Sequence, residues 1–80
     1  MDQTRTYSVV LQPEPEGGFT VRVPAFPEIV TYGETENEAL AMAKEAIELS
    51  VEHRLAEHDD IPSPDTALLR NVTVPLPSAA

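Results

Sequence analysis

The first third of the chain is patterned with a period of two. Over residues 7–12, Tyr7, Val9 and Leu11 alternate with Ser8, Val10 and Gln12, the pattern of a half-buried strand, and Pro13 then removes a ladder donor. The stretch Glu14, Pro15, Glu16, Gly17, Gly18 is a turn whose glycines admit positive φ. Alternation resumes with Phe19, Val21 and Val23 on one face, so the two runs predict a β-hairpin. Pro24 and Pro27 interrupt pairing, which predicts an ordered loop over residues 24–28 and a short third strand over residues 29–32, closed by Gly33.

The period then changes. Thr35, Glu36, Asn37 and Glu38 fit a capping box, in which the Thr hydroxyl and the Glu38 carboxylate satisfy orphan amides of a helix start. Leu40, Ala43, Ile47, Val51 and Leu55, flanked by Ala39, Ala46 and Ser50, recur at three- and four-residue spacing and predict one apolar stripe packed on the sheet. Glu36, Lys44, Glu45, Glu48, Glu52 and Glu57 fall mostly outside it, so the outer helix face is strongly negative. Residues 59–65, with Pro62 and Pro64, predict a linker. Val72, Thr73, Val74 and Leu76 alternate again, but Pro75 and Pro77 confine any fourth strand to a sheet edge, and residues 78–80 are expected to fray. The expected fold is α+β, in the order β-β-β-α-β: a small antiparallel sheet with one helix on one face, forming a single domain over residues 1–80 with a core of about 6–77.

Composition narrows the chemistry. A chain of 80 residues buries only about 60 to 65% of its unfolded surface, so stability is marginal and self-association is the expected remedy. Cysteine is absent, which removes disulfides and thiolate metal sites. Fourteen Asp and Glu against five Lys and Arg give a formal charge of −9, which repels phosphate backbones and anionic lipid heads and favours a basic protein partner. Neither a signal peptide nor a membrane-length apolar run is legible, so a cytoplasmic location is expected.

Several residues together resemble the HicB antitoxin family: Tyr7 to Leu11; Gly17, Gly18 and Phe19 with Val21 and Val23; Pro24 and Pro27; and Thr31, Gly33, Thr35, Glu38, Ala39, Ala43, Glu45 and Ala46. Residues 61–64 resemble it as well, giving coverage of about residues 6–65. Ala25 and Glu28 stand where the family's proline loop usually has an acidic residue and a glycine. The resemblance implies a partial ribonuclease-H-like fold that binds and neutralises a HicA-type toxin, a small basic mRNA-cleaving protein. Many family members carry a further C-terminal DNA-binding domain; none is legible before Ala80, so the resemblance does not carry autorepression of transcription over, and the charge of −9 disfavours direct nucleic-acid binding.

Seven residues are candidates for partner binding. Glu28, Glu34, Glu45, Glu48 and Glu52 offer negative charge to a basic surface, against the plainer reading of a solvated helix face. Phe26 and Tyr32 offer aromatic area near rigid prolines, against simple burial of Phe26 under the helix. No catalytic, metal or cofactor site is expected. Residues 7–12 contain no carboxylate to hold magnesium, His53 and His58 lie five apart on a helix rather than on one face, and no serine has a nucleophile-elbow setting. The competing expectation is a homo-oligomeric protein-interaction domain that has no toxin partner.

Overall fold

A computed structural model describes residues 3–64 and 67–78. The element order is β1 (Val10–Pro13), β2 (Phe19–Val23), β3 (Phe26–Gly33) and α1 (Glu36–Ala56), and the sheet is antiparallel in the order β1-β2-β3. The predicted α+β arrangement is the one observed. The hairpin turn closes with the Gly17 amide donating to the Glu14 carbonyl and the Glu14 amide to that of Gly18. Both glycines take positive φ, 109° and 77°, and a Cβ on Gly18 would also fall on the Tyr32 phenol.

Two strand starts and the existence of a fourth strand differ from expectation. β1 starts at Val10 rather than Tyr7, because β2 ends at Val23 and the next residue, Pro24, has no amide to continue the ladder. β3 starts at Phe26, inside the expected loop, since Pro24 and Ala25 alone make the turn. Val23 pairs with Phe26 while Arg22 pairs with Val30, so residues 27–29 bulge from an edge strand. Pro27, which cannot donate, is accommodated there. The expected fourth strand is absent among the described residues: Val72, Val74 and Leu76 are 83%, 64% and 86% exposed. No strand among the described residues lies beside that segment to pair with it. Asp65 of the expected linker and the terminal Ala79 and Ala80 lie outside the described residues.

The helix lies over β2 and β3 on one face of the sheet. Its cap follows the prediction in part. The Thr35 hydroxyl accepts from the Glu38 amide at 3.1 Å, but the Glu38 carboxylate takes the Glu34 amide at 3.2 Å, one residue before the cap. The helix ends before the prolines: His58 adopts φ 58°, the Asp59 amide donates to the Arg54 carbonyl and the His58 amide to that of Leu55. That pair of bonds is the Schellman arrangement, with histidine in the position glycine usually fills.

The core has two parts. Val21 packs with Ala39 and Ala43, and Val23 packs with Phe26 and Ile29, flanked by Tyr7, Ala46, Ile47 and Val51. Leu40 and Leu55, expected in the packed stripe, are exposed. The stripe is rotated toward the small residues because Gly33 sits directly against the Ala39 backbone, an approach that leaves no room for a larger residue at that point.

Candidate functional site

The seven candidate residues do not form one patch. Glu28 and Phe26 lie at the start of β3, beside the C-terminal end of the helix; Tyr32 and Glu34 lie at its far end, beside the hairpin turn. Glu45, Glu48 and Glu52 line the helix and are exposed.

Phe26 is fully buried, so its ring is core and offers no surface to a partner. Tyr7 meets it edge-on at 5.0 Å between centroids and 78° between planes, and the Arg54 guanidinium covers it at 5.3 Å. The same guanidinium donates to Glu28 at 2.9 Å. The Glu28 carboxyl is held below its usual range, chiefly by a hydrogen bond with its own backbone amide and secondly by Arg54 and Ser50, against the opposing effect of burial. Sequence reading missed Arg54, whose cationic side chain gave no signal of packing on an aromatic ring.

At the other end, the Tyr32 hydroxyl donates to the Gly17 carbonyl at 2.9 Å, and the Thr20 hydroxyl to Glu14 at 2.6 Å. The Tyr32 phenol is pushed above its usual value, first by desolvation and then by the carboxylates of Glu34, Glu14 and Glu38. The corner is thus a cluster of negative charge around a half-exposed tyrosine.

Among the described residues, Arg54 with Glu28 is the single ion pair, so the helix carboxylates stand unneutralised. No group of three or more His, Asp or Glu able to hold a metal ion occurs among them, and no described helix is long and apolar enough to cross a membrane.

The family model described as "HicB_like antitoxin of bacterial toxin-antitoxin system" matches residues 6–80. The chain belongs to the HicB-like antitoxin family. Antitoxin HicB 1 of Photorhabdus laumondii is 39% identical over 74 residues, 92% of this chain and 48% of that protein. Antitoxin HicB of Escherichia coli K12 is 40% identical over 58 residues, 72% of this chain and 42% of its own length. The HicB-like chain thus spans about half the length of the curated HicB relatives it matches. A UPF0150 protein of Synechocystis is closer in size: 36% identity over 63 residues covers 79% of this chain and 80% of that one.

Proposed function

We propose that this HicB-like chain is the toxin-binding part of a HicA/HicB-type system, occupying a small basic mRNA-cleaving toxin and acting by binding, not catalysis, in the cytoplasm. Family membership over residues 6–80 carries the reading. The unneutralised carboxylates of Glu45, Glu48 and Glu52 on the helix, with Glu34 and the half-exposed Tyr32 at the hairpin corner, supply the negative surface that a basic partner needs. Glu28 contributes less to that surface, because Arg54 already neutralises it, and Phe26 contributes only by holding the fold.

The test is to purify the small basic protein encoded beside this gene and follow its ribonuclease activity as this chain is added. Stoichiometric inhibition, weakened by salt and by Glu45→Lys, Glu48→Lys and Glu52→Lys together, is expected. A toxin that stays fully active in excess chain overturns the proposal. A second reading, a protein-interaction domain without a toxin, draws on the Synechocystis relative, which has nearly this size and whose name carries no antitoxin role.

A further inference from the structure

Residues 67–78 leave the body of the molecule. The radius of gyration is 16.3 Å and the longest extent 61 Å against 25 and 20 Å across, whereas a compact chain of this length has a radius of gyration of about 12 Å. Five apolar side chains of this arm, Leu68, Leu69, Val72, Val74 and Leu76, are 64 to 89% exposed. On the body, a groove of about 1030 Å³ runs between the N-terminal segment and the helix, lined by Tyr7, Val9, Leu40, Ile47, Val51 and Ile61. It lies between the helix and the segment that leads into β1, and no strand covers the outer edge of β1 among the described residues.

We infer that the arm of one copy fills the groove of a second copy, as an added strand along the outer edge of β1, in a reciprocal two-fold exchange. Four observations fit arm to groove. Six residues of strand, 71–76, span about 16 Å, and the helix from Leu40 to Val51 rises about the same, so the lengths match. Side chains and hydrogen-bonding groups both alternate along a strand, so Val72, Val74 and Leu76 share one face and one pairing edge. Pro75 and Pro77 have the opposite parity, so the two absent donors fall together on the outer edge, where nothing pairs. Charge selects the occupant. Residues 1–65 hold all fourteen Asp and Glu against four Lys and Arg, a net −10, while residues 66–80 hold Arg70 alone. An arm without acidic side chains brings no like charge to the negative body of a second copy. The Ala67 amide donates to the Ser8 hydroxyl at 3.3 Å, which sets the departure of the arm beside the start of the same edge.

The experiment is a parity pair in the full chain. Light scattering after size exclusion should give a dimer for the parent and for Thr73→Pro, whose lost donor faces outward, and a monomer for Val74→Pro, whose lost donor faces β1. Because the chain lacks cysteine, Val74→Cys and Val9→Cys chains carrying different tags can be mixed and oxidised. A disulfide joining the two tags is expected. A monomeric parent, equal behaviour of the two proline variants, or a bridge that forms only within a doubly substituted chain overturns the exchange. These readings need no toxin, so their outcome is separate from that of the proposed function.

Discussion

Where the helix begins, Gly33 lies against the Ala39 backbone and only the small Ala39 and Ala43 side chains face Val21; where it ends, the whole ring of Phe26 is packed in, with Tyr7 nearly at right angles to it and Arg54 across its face. One end is held by the lack of side chain and the other by its bulk. The difference teaches that the helix is seated like a wedge, and that the two ends should fail in opposite ways: the thick end by losing volume, the thin end by gaining it.

The largest effect is expected at the thick end. Phe26→Ala should cost about 3–5 kcal/mol, a large part of the total for a domain this size, and urea unfolding should show its midpoint collapse. At the thin end, Gly33→Ala should cost about 1–3 kcal/mol by overpacking. Adding Ala39→Gly should not rescue it, because the new Cβ lands on the Ala39 amide nitrogen and Cα as well as on its Cβ. Thr35→Ala, which removes the side-chain acceptor for the Glu38 amide, should cost about 1 kcal/mol and fray the first turn in amide exchange.

The smallest effect sharpens the comparison at the thick end. Glu28 is more acidic folded than its ordinary value of 4.5, so the stability it contributes is present above that pH and is lost as pH falls through the lower folded value. Arg54→Ala should cost up to about 1 kcal/mol for the exposed pair and make the acid limb of a stability profile shallower. It should not flatten that limb, since the backbone amide remains the leading cause. An unchanged acid limb in Arg54→Ala would refute the assignment.

How far these features were legible follows from how local each one is. β2 and its turn were readable residue by residue, because alternation, two adjacent glycines and a flanking proline act within a few positions. The helix start was readable for the same reason. The face it buries was not: Leu40 outranks Ala39 in hydrophobicity, yet the approach at Gly33, a tertiary fact, admits only the alanine. Phe26 sat between two prolines and suggested a loop, whereas a bulge in β3 absorbs Pro27 and turns the ring inward. The alternation of residues 72–76 suggested a fourth strand, and none forms there among the described residues, since a ladder needs a second chain segment that no single stretch reveals. Of the candidate site, the charges were legible and their neutralisation was not; the pairing of Arg54 with Glu28 joins residues 26 positions apart.

One tether far from the helix bears on the order of folding. The Tyr7 hydroxyl donates to the Pro62 carbonyl at 2.6 Å, and Arg5 donates to the carbonyls of Ile61 and Pro62. These links close loops of 55 to 57 residues, much longer than those of the hairpin or the helix, so the entropy of closure places them late. On a ribosome, the hairpin and most of the helix can form before Pro62 emerges, and the opening strand stays unfastened at its N-terminal end until then. The same tether should be the earliest to loosen under mild denaturant, exposing the side of the Phe26 ring that Tyr7 packs against while the rest of the sheet is still intact.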